Sequence, residues 1–469
     1  MLIFTLEGAI GEGAPFLSKM GKGVSKKKAN RIYSGSASQP SESMSDYLAA
    51  APGLLMCFMV IMMLVFDITV PGMLNRQYQE FQSMFRALNM TAAVAALVLA
   101  AYRCRALIRQ RSGLRETLRS GHRAATAVLW GAFILWVLIS TAVNGLTTEA
   151  VHGLPYRNIG VPLLTAFIVI YLWASSEIRR ESLRRYIVEI YIAAADALAI
   201  AVLYDIVTGS ISAFHEKKEV SAVFFNGNHY GYFLVMAILL GAGLYLFGDS
   251  RRAAFGALSA SLNSVVLVIN HSMGSILAVI AVMVLTGIYI TVCNRQRVKR
   301  LTLMLAAAAV IIIAALALSS DIQKEFVKFA ADMSDILSGR MKDSTGHNRI
   351  KVWRLTADYI LARPLFGYGC EGISLDMYEE TAISNPHNEF LTYAVYYGIP
   401  AALLYTAAVI TTLAESVRKM HGPDVWSAVS CMAAAGYFVS SVTGVSMFYI
   451  TPFFFVFAGI AMTAKTSRL

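Results

Sequence analysis

Long apolar runs recur along this chain of 469 residues, and they restrict its possible folds more than any other feature. About twelve segments reach roughly 17 to 25 predominantly apolar residues, the length that an α-helix needs to cross a hydrocarbon core. A backbone surrounded by lipid must satisfy its own hydrogen bonds, and the runs are too long to be barrel strands. The sequence therefore predicts an all-α, polytopic membrane bundle. Its spans are expected near residues 50–67, 87–102, 124–143, 158–174, 186–207, 228–247, 252–270, 273–293, 301–319, 388–413, 425–443 and 446–463.

Composition supports the same class of protein. Hydrophobic residues make up 57% of the chain and charged residues 15%, a balance that excludes an ordinary soluble protein of this size. The net charge of +11 is also compatible with nucleic-acid binding. However, Lys and Arg recur in short clusters between the apolar runs, as membrane topology requires. We therefore predict membrane lipid as a partner and no nucleic acid.

The distribution of basic residues predicts the orientation. Of the 40 Lys and Arg residues, 27 fall on the side of the membrane that holds the amino-terminal tail, residues 1–47. Eight of the remaining 13 lie in one loop, residues 320–387, and long loops cross the membrane with little regard to charge. Both termini are therefore expected in the cytoplasm. The chain would divide into a basic, disordered tail, nine spans over residues 48–319, this extracytoplasmic loop, and three final spans over residues 388–469.

The long loop contains two segments with helical periodicity. Apolar residues recur at spacings of three and four over residues 322–336, with charged residues elsewhere on the wheel, as in a helix that lies in the membrane interface. A second apolar face covers residues 350–360, and Pro364, Gly367 and Gly369 end that helix. Long ordered loops between spans are more often functional than idle, so we expect the chemistry here.

Three arginines accompany the second helical segment: Arg349, Arg354 and Arg363. They lie close to the predicted membrane surface, on a side that otherwise keeps few basic residues. Guanidinium groups bind phosphate oxygens through paired hydrogen bonds, so these residues are candidate phosphate ligands. The alternative is that they contact lipid headgroups or carboxylates of the same loop, such as Asp358 and Glu371.

A histidine, His387, lies at the rim of the next predicted span. Imidazole takes a proton near neutral pH without environmental help, which makes His387 a candidate general base. An isolated interfacial histidine would more often cap a helix or contact water. Asn388 and Glu389 stand beside it, however, and the arginine-rich helix precedes it, so we favour a catalytic role.

These residues resemble the signature of the O-antigen ligase and O-antigen polymerase superfamily of bacterial membrane glycosyltransferases. The resemblance covers roughly the second half of the chain, and its order, topology and spacing agree with the family. It rests on residues 226–231 (NGNHYG), on Arg349-x-x-x-Trp353 followed by residues 364–369 (PLFGYG), and on residues 387–391 (HNEFL) followed by Gly398.

The resemblance implies a GT-C-like fold and a role in surface polysaccharide assembly at the bacterial inner or plasma membrane. Such an enzyme takes a glycan from a polyprenyl (undecaprenyl) diphosphate carrier on the outer face and joins it to an acceptor hydroxyl. The implied partners are a lipid-linked oligosaccharide donor and a glycan, lipid or protein acceptor, so ligase and polymerase both remain open. The proposed family base matches His387, and one diphosphate-binding arginine matches Arg349. No cofactor is expected.

One position departs from the family pattern. The family often has Ser-Arg-Gly at the start of a central span, whereas this chain has Met273 between Ser272 and Gly274. Methionine cannot bind phosphate as arginine does, so either a second basic ligand comes from elsewhere or the donor is held differently. The candidates for that ligand are Arg354, Arg363 and His271, and the further candidates for substrate binding are Asn226, Asn228, Asn388 and Glu389.

The expected chemistry needs a base for the incoming hydroxyl and positive charge for the departing diphosphate. Arginines supply that charge without a metal, and the sequence contains no Asp-x-Asp pair, the spacing expected for metal-bound sugar donors. We therefore predict a metal-independent reaction and no metal site.

Two other classes of protein, a transporter and a membrane scaffold, are alternatives to an enzyme. A transporter or flippase of lipid-linked glycans would often show related halves and polar sites near the bilayer midplane. This sequence has no convincing internal repeat, and its polar residues gather at the outer rim instead. A non-catalytic membrane scaffold is the third possibility. Asp196 lies near the middle of the fifth predicted span, and we favour a structural pairing for it over a functional one.

Overall fold

The computed structural model describes residues 121–154, 157, 159–209, 215–216, 219–224, 226–343, 345–346, 348–419 and 424–463, with separate positions between 86 and 101. These residues are helical almost throughout, apart from an antiparallel pair of two-residue strands, β1 (His215–Glu216) and β2 (Glu219–Val220). The helices are α1 (Gly121–Val143), α2 (Thr148–His152), α3 (Val161–Glu177), α4 (Glu181–Thr208), α5 (Gly227–Phe247), α6 (Ser250–Asn270), α7 (Met273–Cys293), α8 (Val298–Leu318), α9 (Ser320–Leu337), α10 (Arg349–Ala362), α11 (Ser374–Thr381), α12 (Glu389–Tyr397), α13 (Ile399–Lys419), α14 (Val425–Ser440) and α15 (Thr451–Ala461).

Within the described residues, eight helical segments are long and apolar enough to cross a membrane, and two shorter apolar helices, α3 and α15, accompany them. The described part of the chain is thus helical apart from the short strand pair, as in a multi-pass membrane protein. The predicted span 50–67 and half of the predicted span 87–102 lie outside the described residues. The number of twelve spans and the orientation of the termini therefore stay predictions, as does the predicted tail over residues 1–47.

The prediction of one continuous span over residues 388–413 is wrong. The structure has two helices there, α12 and α13, separated by Gly398 at φ +90°. Glycine adopts this left-handed region without a steric penalty, and a Cβ atom at Gly398 would also overlap the carbonyl of Leu365. The segment that can cross a membrane is Ile399–Arg418, so α12 is a separate short helix placed ahead of it.

The stretch 364–369 packs against the junction of these two helices. The amide of Tyr368 donates to the carbonyl oxygen of Val395 at 3.0 Å, and the amide of Ile399 donates to that of Pro364 at 2.8 Å. Such bonds satisfy backbone groups that a helix end leaves without a partner. The loop after α10 is therefore fixed to the helical bundle at α12.

The final predicted span, residues 446–463, is also shorter than expected. Its helix, α15, has 11 residues, and turns precede it after a 3₁₀ segment at Ser441–Thr443. A helix of that length spans only about 17 Å, well short of a hydrocarbon core. It is nevertheless buried along its whole length, packed against α3 and α14.

Helix α5 lies at the centre of the bundle. In the most apolar part of α5, 89% of the residues are buried, whereas 6% are buried in the most apolar part of Arg295–Leu318, which contains α8. Helix α8 is therefore peripheral. Helix α5 packs most extensively against α6 and α14. Gly241 and Gly256 let α5 and α6 approach closely, because a Cβ atom on either residue would press on the backbone of the opposite helix. Small residues at such crossings are typical of membrane helix packing.

The carboxylate of Asp196 in α4 has the structural pairing that the sequence favoured. Its Oδ1 atom accepts hydrogen bonds from the Ser259 hydroxyl at 2.7 Å and from the Asn263 amide at 2.6 Å, both on α6. A polar group inside a membrane needs such partners. These bonds therefore join α4 to α6.

The segment between α8 and α12 contains three helices. The structure has α9 and α10 at the two places where periodicity predicted helices, and Ser319 caps α9 by accepting from the amide of Ile322. The third, α11, was not predicted, since its eight residues are too few to show a period. Whether this segment lies outside the cell stays a prediction.

Candidate active site

His387 lies in a tight turn just before α12. Its backbone has φ +47°, and its amide donates to the side-chain oxygen of Asn385 at 2.9 Å. The indole of Trp353 in α10 donates to the carbonyl oxygen of Pro386 at 2.9 Å. Asn388 then caps α12, because its side-chain oxygen accepts from the amide of Leu391. The peptide around His387 is therefore held from two directions, by its own turn and by α10.

The surroundings of His387 keep its imidazole neutral. Burial lowers its pKa from 6.5 to about 4, and the positive charges of Arg349 and Arg157 contribute to the same shift. Desolvation and neighbouring cations both disfavour the protonated form. At pH 7 the ring is therefore free to accept a proton, and two guanidinium groups lie close enough to affect it.

Arg349, the first residue of α10, lines a cavity of about 130 Å³. Apolar side chains of α7, α9 and α10, including Leu277, Phe329 and Trp353, form much of the cavity wall. The guanidinium is half-buried, and among the described residues nothing forms a hydrogen bond or an ion pair with it. A positive charge is thus held, with its donors available, at a largely apolar cavity that the charged residues Glu325, Lys328 and Asp332 of α9 also line.

The other two predicted phosphate ligands have local partners. Arg354 forms an ion pair with Asp343 at 2.7 Å, and both side chains are 59% exposed. Arg363 is exposed, and its guanidinium lies 4.6 Å from the ring centroid of Tyr368. Their binding of a diphosphate stays a prediction, but the structure does not bring them to His387 as it does Arg349.

His271 ends α6. It has φ +61°, and its amide donates to the carbonyl oxygen of Val268 at 3.3 Å. Met273, at the position where the resemblance implies an arginine, is the first residue of α7 and lines the same cavity as Arg349. The departure from the family pattern therefore falls at the site itself, and a role of His271 as second cation stays a prediction.

Asn226 and Asn228 organise the start of α5. The side-chain oxygen of Asn226 accepts from the amide of Asn228 at 2.9 Å and so caps the helix. The Asn228 side chain accepts in turn from the hydroxyl of Ser272 at 3.2 Å. These two candidates therefore fix the start of α5 and its approach to α7, and their contact with substrate stays a prediction.

His229, in the same stretch, was not among the predicted site residues. Its Nδ1 atom lies 2.6 Å from the hydroxyl of Tyr449, which donates to the carbonyl oxygen of Phe224 at 2.9 Å. His229 also interacts electrostatically with His387 and Arg157. The pattern NGNHYG contained this histidine, but its closeness to His387 depends on packing that no spacing reveals.

Glu389 stands two residues after His387 but serves a different purpose. Its side chain is buried, and it accepts hydrogen bonds from Tyr405 at 2.7 Å, from Tyr437 at 3.4 Å and from Ser446. These partners come from α13, from α14 and from the segment before α15. Glu389 therefore anchors α12 inside the bundle, and a direct role in substrate binding stays a prediction.

Residues 256–406 match the family model described as O-antigen ligase. The predicted resemblance to the O-antigen ligase family is thereby confirmed. The matched region runs from α6 into α13 and includes Arg349, Trp353 and His387. A comparison with curated proteins found no match. The match to this family model implies a glycosyltransferase of polysaccharide ligation or polymerisation that acts on lipid-linked glycans.

The matched region thus supplies both an imidazole and a guanidinium that has no hydrogen-bond or ion-pair partner among the described residues. Among the described residues, no group of three or more His, Cys, Asp or Glu side chains is arranged to hold a metal ion. A second charged residue, Arg157, comes from outside the matched region, in the connection between α2 and α3. The sequence did not predict that Arg157 lies near His387, because a lone arginine in a short loop is part of no recognisable pattern.

Proposed function

We propose that the protein transfers a glycan from a polyprenyl diphosphate carrier to an acceptor hydroxyl at the outer face of the membrane. The acceptor is a glycan, a lipid or a protein. The observation that carries this proposal is a half-buried, neutral imidazole, His387, within electrostatic reach of the Arg349 guanidinium, which lines a largely apolar cavity and has no hydrogen-bond or ion-pair partner among the described residues.

In the proposed reaction His387 is the general base. The acceptor oxygen attacks the anomeric carbon of the donor sugar, and its proton passes to the ring nitrogen of His387. The bond between that carbon and the diphosphate oxygen breaks, and its electron pair leaves with the carrier diphosphate. A base held in place contributes typically about 10²- to 10⁴-fold to such a rate.

Arg349 stabilises the departing diphosphate. A guanidinium donates paired hydrogen bonds to phosphate oxygens, and its charge has most effect where water is excluded. The apolar side chains beside Arg349 provide contacts for the first isoprene units of the carrier. Because arginine supplies the positive charge, the reaction needs no metal ion.

The low pKa of His387 is consistent with this role. A neutral imidazole accepts a proton, whereas an imidazolium cannot, so the two neighbouring cations keep the ring in its useful form before substrate binds. When the diphosphate occupies Arg349, its negative charge offsets part of the cationic field. The basicity of His387 then rises as the donor binds.

The test is glycan transfer by purified protein in vesicles that contain the lipid-linked donor and an acceptor. His387→Ala is expected to lower kcat by about 10²- to 10⁴-fold. Arg349→Ala is expected to lower kcat/KM for the donor by about 10²-fold. Unchanged transfer by His387→Ala would exclude this base, and movement of the donor across the bilayer without a new glycosidic bond would instead indicate a flippase.

Two matched controls come from the same chain. His152 is an exposed histidine at the end of α2, and Arg340 is an arginine with a 70% exposed side chain that pairs with Asp335. His152→Ala and Arg340→Ala are expected to transfer glycan like the wild type. A general loss of activity in these controls would show that the vesicle assay responds to any loss of charge.

A further inference from the structure

Arg157 is an almost fully buried arginine to which the proposed reaction gives no contact with the reacting groups. It is 8% exposed and lies in the connection between α2 and α3. Its Nη1 atom donates to both carboxylate oxygens of Glu371, at 3.1 and 3.0 Å. Its Nη2 atom donates to the hydroxyl of Ser384. One guanidinium therefore joins two residues that lie on either side of α11.

Glu371 is itself firmly placed. Its carboxylate accepts from the Tyr396 hydroxyl at 2.8 Å and from the Ser374 hydroxyl. Its backbone has φ +59°, a left-handed conformation that a residue other than glycine keeps only where its surroundings hold it. The ion pair with Arg157 is thus the centre of a network that also reaches α12.

Ser384, the second residue that Arg157 contacts, lies three residues before the proposed base, His387. Ser384 is followed by Asn385, whose side-chain oxygen accepts from the amide of His387 at 2.9 Å. His387 keeps φ +47°, so its turn also needs support from outside. Arg157 is placed to give that support, because it fixes Ser384 relative to Glu371 and hence to α12.

We propose that Arg157 is a positioning residue for glycan transfer, which holds Ser384 and Glu371 together and thereby sets the place of the His387 ring. The inference rests on the proposed function. A misplacement of about 1 Å in a reacting group can lower a rate by about 10²-fold, so a residue that never touches substrate can act in this way.

Arg157 also contributes charge at the same place. The groups that face His387 electrostatically are Arg349 from α10, Arg157 from the α2–α3 connection, and His229 from α5. The charge of Arg157 lowers the pKa of His387, so loss of that charge should raise it. Position and charge can be separated, since lysine keeps the charge but cannot bridge Glu371 and Ser384 as a guanidinium does.

Three variants test the inference in the vesicle transfer assay: Arg157→Met, Arg157→Lys and Ser384→Ala. Arg157→Met should lower kcat by about 10²-fold with little change in donor KM, and should move the acid limb of the pH profile upward. Arg157→Lys should lower kcat but keep the acid limb near that of the wild type. Ser384→Ala removes one contact of the guanidinium and should lower kcat several-fold with the acid limb unchanged.

A second buried ion pair provides the matched control. Arg184 pairs with Asp424 at 3.2 Å, with side-chain exposures of 7% and 10%, close to the 10% and 3% of Arg157 and Glu371. Arg184→Met removes a comparable pair from the start of α4. It should lower the thermal stability of the protein but leave kcat per folded molecule and the pH profile unchanged.

The outcomes separate the possible failures. A wild-type kcat and a wild-type pH profile in Arg157→Met would overturn the inference. A loss of activity in Arg157→Met that is the same at every pH and equals the loss in Arg184→Met would also overturn it. If Arg157→Met does not fold, wild-type kcat in both Arg157→Lys and Ser384→Ala would overturn it. If the wild type transfers no glycan, the proposed function fails; if only His387→Ala loses activity, the role of Arg157 fails alone.

Discussion

The acid limb of glycan transfer should lie unusually low for a reaction that depends on histidine. Burial, Arg349 and Arg157 lower the pKa of His387 from 6.5 to about 4. The neutral form is the active one, so kcat/KM should be lost only as the pH falls through about 4. At pH 5.5 an imidazole with an ordinary pKa would be about 90% protonated, whereas a ring with the lowered pKa would be about 3% protonated.

The assay is the pH dependence of transfer from a lipid-linked donor in vesicles, with enzyme returned to pH 7 after each exposure to exclude irreversible loss. The pH profile of kcat/KM reports the free enzyme, and that of kcat reports the enzyme–donor complex. Since the bound diphosphate offsets part of the charge of Arg349, the acid limb of kcat should lie above that of kcat/KM.

Substitution of Arg349 by Gln provides an internal check on this reasoning. Loss of the cation should raise the pKa of His387 and shift the acid limb of kcat/KM toward neutral pH, in addition to weakening donor use. An acid limb of the wild type near pH 6.5, or one that does not move in Arg349→Gln, would refute the account of how the site tunes its base.

Three further predictions concern the frame of the site and its chemistry. Gly398→Ala should lower the free energy of unfolding by about 2 kcal/mol or more, because φ +90° and the nearby Leu365 carbonyl both oppose a Cβ atom; unchanged thermal unfolding would contradict this. Trp353→Phe removes the hydrogen bond to the Pro386 carbonyl and should lower kcat by about tenfold with donor KM nearly unchanged; a wild-type kcat would show that this bond does not position His387. Transfer should continue at its full rate after divalent cations are chelated, and strict dependence on added magnesium would count against arginine as the source of positive charge.

The sequence predicted the class of fold because apolar length alone determines it. Residues 273–293 and 228–247, for example, coincide with helices α7 and α5 almost to the residue. It was wrong about residues 388–413, where Gly398 forms a left-handed junction. A glycine within an apolar run has no periodic signature, and its conformation depends on a loop more than 30 residues earlier in the chain that packs against it.

Only those candidate site residues that stand in local sequence patterns could be named from the sequence. His387 and Arg349 stand in local patterns, so both could be named from the sequence. Arg157 and His229 reach the same place through contacts across more than 200 residues, and no local pattern marks them. Conversely, Glu389 stands only two residues after His387, yet its carboxylate faces α13 and α14, because His387 lies in the turn before α12 whereas Glu389 is the first residue of that helix.

The most direct test of the central claim is an experimental structure of the protein with a lipid-linked diphosphate donor bound in a bilayer mimetic. We expect diphosphate oxygens within about 2.6 to 3.2 Å of the Arg349 guanidinium, and the anomeric carbon facing the His387 ring across a space that admits one hydroxyl group. A diphosphate bound elsewhere, with the cavity beside Arg349 empty or His387 turned away from the donor sugar, would contradict the account.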